Sequence, residues 1–206
     1  VKILTEDGKK YANVELKFLR YDNDEGDSNE ANITDIEGRT IHPDGTIIPF
    51  TGKPYLKTIE DSKHFHYQAR VFTLPDVEVG SIIEYKYASR FDDSIVEAPD
   101  WFIQGDLYVK AAHYIWTPTT HELIDVDSGN PVSSIAWFPI LPAGVKVDVH
   151  AGLGPDANAE RLNIYELHVH DIPPIDKEDH MPPVGGFTYR VLFSYTAFRT
   201  DGESGR

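Results

Sequence analysis

Alternation of apolar and polar residues with a period of two runs through this chain, and it restricts the chain to strands with one buried and one wet face. In Asn13–Tyr21, Val14, Leu16 and Phe18 alternate with Asn13, Glu15 and Lys17. In His64–Phe72, Phe65, Tyr67, Ala69 and Val71 share one face, and His64, His66, Gln68 and Arg70 the other, which reads as a polar sheet face. Ser81–Arg90 sets Ile83, Tyr85 and Tyr87 against Glu84 and Lys86; Val145, Val147 and Val149 alternate with Lys146, Asp148 and His150. Further strands are predicted over Leu107–Ile115, Leu162–His170 and Thr188–Ala197. No ten-residue stretch carries an amphipathic helical stripe. The 11 Tyr and 10 Phe favour strands, and the 15 Gly and 14 Pro supply turns between them.

Turn signals divide these runs. Asp7–Gly8 and Asp44–Gly45 predict hairpins, because glycine accepts the positive φ of a tight turn. Leu74–Pro75 closes one strand, Gly80 relieves crowding where the chain enters the next, and Pro182–Pro183 fixes an extended exit toward a following domain. Asp22–Glu30 is acidic and unpatterned, and reads as a mobile loop. The expected fold is all-β, an immunoglobulin-like antiparallel β-sandwich with little or no helix. One sandwich domain is expected over residues 1–199, with a flexible tail or linker over 200–206. Length leaves open whether one large sandwich or two packed β units fill it.

Charge and cysteine content narrow the function. The 19 basic and 34 acidic residues give a net charge of −15, which argues against nucleic acid and anionic membrane surfaces as partners. The absence of cysteine removes disulfides, thiolate metal sites and a cysteine nucleophile. No apolar run approaches the ~20 residues of a membrane helix, so no membrane insertion is expected. The chain opens at Val1 without an initiator Met or signal peptide, as expected of a mature or excised segment.

Few residues carry convergent chemistry. Glu166, His168 and His170 fall at i, i+2 and i+4 of a predicted strand and point to the same side, so they are candidate metal ligands. Asp171, Asp179 or His180 would complete the set; the simpler reading is a solvated face opposite Tyr165, Leu167 and Val169. The run Asp22–Ser28 invites a calcium reading, but its sixth and twelfth positions, Asp27 and Ile33, are not the glycine and glutamate of an EF-hand loop. There is no G-x-S-x-G elbow and no glycine loop for phosphate, so no cofactor and no catalytic residue is expected. Trp101, Trp116 and Trp137, with Tyr108 and Tyr114, suit either a sugar platform or packing between sheets.

Three motifs in order bring a family into view: I-E-G-R-T-I-H-P-D-G-T-I-I-P at 36–49, F-T-L-P-D-V-E-V-G-S-I-I-E-Y-K-Y at 72–87 and D-I-P-P-I-D-K-E-D-H-M-P-P at 171–183. Their order resembles a bacterial domain of unknown function found N-terminal to transglutaminase-like domains in exported proteins. The resemblance extends from Val1 to about Tyr195 and implies an immunoglobulin-like sandwich in the periplasm or outside the cell. It also implies a following papain-like domain with a Cys–His–Asp set, which a chain without cysteine does not contain. The expected role is therefore a non-catalytic interaction or spacer module whose partner is that downstream domain, or a cell-surface protein or glycan. The alternatives are a carbohydrate- or peptide-binding module and a metal-dependent hydrolase.

Overall fold

The computed structural model describes residues 1–22, 28–30, 32–63, 65–90, 98–118, 123–124, 131–132, 135–153, 161–176, 178 and 180–195. The chain divides into two compact units, Val1–Val96 and Glu97–Arg206. Each is built from antiparallel sheets, and the fold is all-β.

The first unit contains β1 (Asn13–Asp22), β2 (Ser28–Glu30), β3 (Asn32–Ile41), β4 (Ile47–Pro49), β5 (Tyr55–Asp61), β6 (Phe65–Thr73) and β7 (Ile82–Arg90). One sheet has the order β2-β1-β6-β5 and the other β4-β3-β7. Val14, Leu16 and Phe18 bury from β1 as the alternation requires, and meet Phe72, Leu74, Ile33 and Ile83. Phe72 anchors this core with rings on two sides, Phe50 at 5.2 Å and Tyr85 edge-on at 5.9 Å. The N-terminal segment joins it through buried Ile3, whose N–H donates to the Ser81 carbonyl while its own carbonyl accepts from Gly80. Asp44–Gly45 makes the β3–β4 turn, with Gly45 at φ +89°.

Three local expectations change here. Asp7–Gly8 is not a hairpin turn but lies within a 3-10 helix, Glu6–Ala12, because the Thr5 hydroxyl caps it by accepting from the Gly8 N–H. The stretch 22–30 is not one loop: Asp22 ends β1, and Ser28–Glu30 pairs back onto it as β2. Nor is the His66, Gln68, Arg70 face of β6 a free polar surface. Gln68 and Arg70 stand opposite Phe18 and Leu16, so they share the core side of the sheet. The other face of β6 carries buried Ala69 and Val71. Its cover is readable from register. Glu15 on β1 is opposite Val71, Lys57 on β5 is opposite Ala69, and their ion pair at 2.6 Å spans β6 between them. The lysine stem lies over apolar surface while its ammonium stays in water. On the open flank of this sheet, β5 is exposed throughout, and its register slips between Thr58 and Glu60.

The second unit contains β8 (Asp100–Phe102), β9 (Val109–Trp116), β10 (Leu123–Ile124), β11 (Pro131–Val132), β12 (Ile135–Ile140), β13 (Asp148–Leu153), β14 (Arg161–Ile172) and β15 (Arg190–Tyr195). Two three-stranded sheets, β12-β15-β8 and β13-β14-β9, face each other, and β10-β11 forms a small ribbon. Tyr165, Leu167 and Val169 point inward from β14 and are almost fully buried. Rings interlock within this core: Phe193 lies edge-on to Trp101 of its own sheet and to Trp116 and Tyr165 of the facing one, and Trp137 edge-on to Tyr165. Pro182–Pro183 is not an exit. A 3-10 turn, Val184–Gly186, follows it and the chain returns as β15, the middle strand of its sheet. Apolar Val191 and Phe193 draw this segment into the core. Residues 196–206, including the expected tail, lie outside the described residues.

Candidate functional site

The strand β14 is the middle of its sheet, so side chains that alternate away from Tyr165, Leu167 and Val169 stand on the open face. These include Glu166, His168 and His170. Register adds neighbours from both flanking strands: His113 of β9 lies opposite His168, Asp148 of β13 opposite Glu166, and His150 of β13 opposite Ile164. Directly opposed side chains in an antiparallel pair are about 4.5–5.5 Å apart at Cβ, closer than neighbours two residues along a strand. The cluster therefore draws on the flanking strands as well as on β14 itself.

Glu166 is its centre. His113 Nε2 lies 2.7 Å and His168 Nε2 3.1 Å from the same oxygen, Glu166 Oε1. His150 Nε2 approaches the other oxygen, Oε2, at 3.8 Å. The His113 and His168 rings stack at 4.1 Å, only 11° from parallel. Hydrogen bonds first from His113 and then from His168 hold the Glu166 carboxyl below its ordinary range, keeping it anionic. All of this faces solvent, with side-chain exposures of 46% for His113, 59% for His168 and 26% for Glu166. One ligand atom from each of these three residues lies within 4.8 Å of the others, a group able to hold a metal ion.

The structure thus brings together two of the three candidates along β14 and supplies a third the sequence did not single out. His170 is on the same face but pairs with Ala111, and lies two further residues along, roughly 13 Å from Glu166 by strand rise. Asp171 is engaged elsewhere: its Oδ1 accepts from Lys110 at 2.5 Å and from the Tyr108 hydroxyl. His180 is exposed on the connection to β15, and Asp179 lies outside the described residues. In the first unit His66 bonds Asp61, while His64 and most of the calcium-like run, residues 23–27, also lie outside them. Trp101 is buried and stacks on Tyr114, and half-buried Trp116 meets Phe193 of the facing sheet; Trp137 meets Tyr165 edge-on while 36% of it stays exposed. His113 belongs to a predicted strand, but only the β9–β14 register, more than 50 residues apart in sequence, reveals its role.

Fold and site define an all-β sandwich protein whose clustered imidazoles and carboxylate stand on an open sheet face. The chain belongs to the DUF3857 family, a domain of unknown function, whose model matches residues 1–176 and so runs through both compact units. No curated protein and no solved structure matches it significantly.

Proposed function

We propose that this chain is a non-catalytic β-sandwich module, an interaction or spacer domain that precedes a transglutaminase-like domain in a protein exported to the periplasm or cell surface. The observation that carries the reading is the setting of its one three-residue ligand cluster among the described residues. His113, Glu166 and His168 are displayed to solvent on a sheet face. Catalysis by charge stabilisation draws its strength from preorganised, water-excluded sites, whereas a displayed polar face suits contact. The DUF3857 family, a domain of unknown function, attaches no reaction to the chain. The order of the three motifs supports the downstream partner.

Two measurements test it. The purified chain is expected to leave peptide, ester and glycoside substrates unchanged; turnover lost on Glu166→Gln would replace the module with a metal-dependent hydrolase. Reading the encoding gene beyond the codon for Arg206 should reach a domain with a Cys–His–Asp set. A different domain, or none, would refute the proposed partner.

A further inference from the structure

The open face of the β13-β14-β9 sheet presents donor atoms from three strands, and their chemistry is more specific than a polar surface requires. We infer that His113, Glu166 and His168 form a site for a divalent transition-metal ion of the zinc type, with His150 beside its fourth position.

Three observations converge. First, the donors are two imidazole nitrogens and one carboxylate oxygen, a set that suits Zn²⁺, Cu²⁺ or Ni²⁺; calcium and magnesium prefer all-oxygen shells. Second, both Nε2 atoms already meet at a single oxygen, at 2.7 and 3.1 Å. An ion about 2.0–2.2 Å from each donor would occupy the space now spanned by these two hydrogen bonds. Each imidazole then carries its proton on Nδ1 and turns its Nε2 lone pair to the ion, so no redox or covalent change is needed. Third, His150 Nε2 lies 3.8 Å from Glu166 Oε2, on the strand opposite to His113, so a further imidazole stands beside the group on the other side of Glu166. The stacked rings run nearly parallel and must splay to converge on an ion; with about half of each exposed, nothing buried has to move. Asp148, opposite Glu166 on β13, puts a second carboxylate on this face, where it pairs with Lys146 at 3.5 Å. The surrounding chain, at net charge −15, attracts cations generally.

This site is independent of whether the module precedes a transglutaminase-like domain, and it needs no turnover. Isothermal titration of the untagged 206-residue chain with Zn²⁺ tests it. The expected result is saturable binding of one ion per chain at this face. It should weaken at least about tenfold in His113→Ala, His168→Ala and Glu166→Gln, since even the loss of an outer-shell partner costs 10–100-fold. His170→Ala and His42→Ala should bind as the parent does. His170 separates a cross-strand site from one running along β14; His42, which has Asp76 and Glu78 at 3.5 Å, separates it from ordinary surface histidine–carboxylate pairs. Imidazole ¹⁵N spectra of the unsubstituted chain give a second readout, with the resonances of His113 and His168 moving together at one equivalent of Zn²⁺. The inference is overturned by the absence of saturable binding, by binding that survives His113→Ala, or by spectra in which other histidines respond first.

Discussion

Truncation of Phe193 tests whether the interlocked rings hold the second unit together. Its side chain is buried, and its ring centroid lies 4.7 Å from Trp101, 4.8 Å from Trp116 and 5.4 Å from Tyr165. The three interplanar angles, 70°, 61° and 79°, are edge-to-face. Phe→Ala at a packed site costs about 3–5 kcal/mol through lost transfer energy and the cavity left behind. Aromatic pairs contribute about 0.5–1.5 kcal/mol each beyond area, so three of them place Phe193→Ala in the upper half of that range. Phe193→Leu keeps most of the apolar volume and loses the ring contacts, for about 2 kcal/mol. All three tryptophans belong to the second unit, so their fluorescence follows that unit alone during urea unfolding. With a urea slope of about 2 kcal/mol per molar, the alanine midpoint falls by about 2 M and the leucine midpoint by about 1 M. An alanine cost below about 2 kcal/mol, or a leucine variant as damaged as alanine, would refute the account of the core.

Two further outcomes follow from local geometry. Gly80 sits at φ +97°, and a Cβ there would approach Pro43 Cγ to 2.8 Å, so Gly80→Ala should lower stability by about 1–3 kcal/mol in thermal unfolding. Gly105→Ala, whose Cβ meets open space, should be neutral within about 0.5 kcal/mol; equal effects at both would remove the argument. The Asp171 carboxylate raises the Tyr108 phenol, chiefly by accepting its hydrogen bond, while Lys110 first and then Tyr108 lower Asp171. The tyrosine's contribution is therefore present below its unfolded pKa and lost as pH rises through the raised value. The aspartate's is present above its unfolded pKa and lost as pH falls through the lowered one. Asp171→Asn should let one phenolate appear earlier in an ultraviolet titration, and superimposable curves would contradict this.

Strands were legible where one face is buried and the other wet. In β1 the stretch from Asn13 to Phe18 obeys the alternation because one sheet face meets the core. In β6 the pattern misleads, since Ala69 and Val71 are covered by a lysine and a glutamate reaching over from neighbouring strands. Their burial depends on pairing and not on their own hydrophobic period. The turn at Asp44–Gly45 was readable because it is local, whereas Asp7–Gly8 was not, because the Thr5 cap competes with the turn. The same division separates the site residues. Glu166 and His168 share a strand and a period, and so stand out in sequence; His113 and His150 join them only through long-range register. Along-strand spacing favoured His170 as the third ligand, but the distance across a sheet is shorter than the distance along it.

The slip in β5 bears on how copies of this chain meet at high concentration. An outermost strand offers free backbone donors and acceptors as a template for another chain. Here the ladder breaks between Thr58 and Glu60, leaving Ile59 without a partner in register. Lys57, Glu60 and Asp61 place charge on the same short strand. A second copy docking there would meet a kinked template and would have to desolvate those charges. The irregularity thus works as a safeguard against fibrillar growth, and deleting Ile59 to straighten the strand would exchange a defect in pairing for a tendency to aggregate.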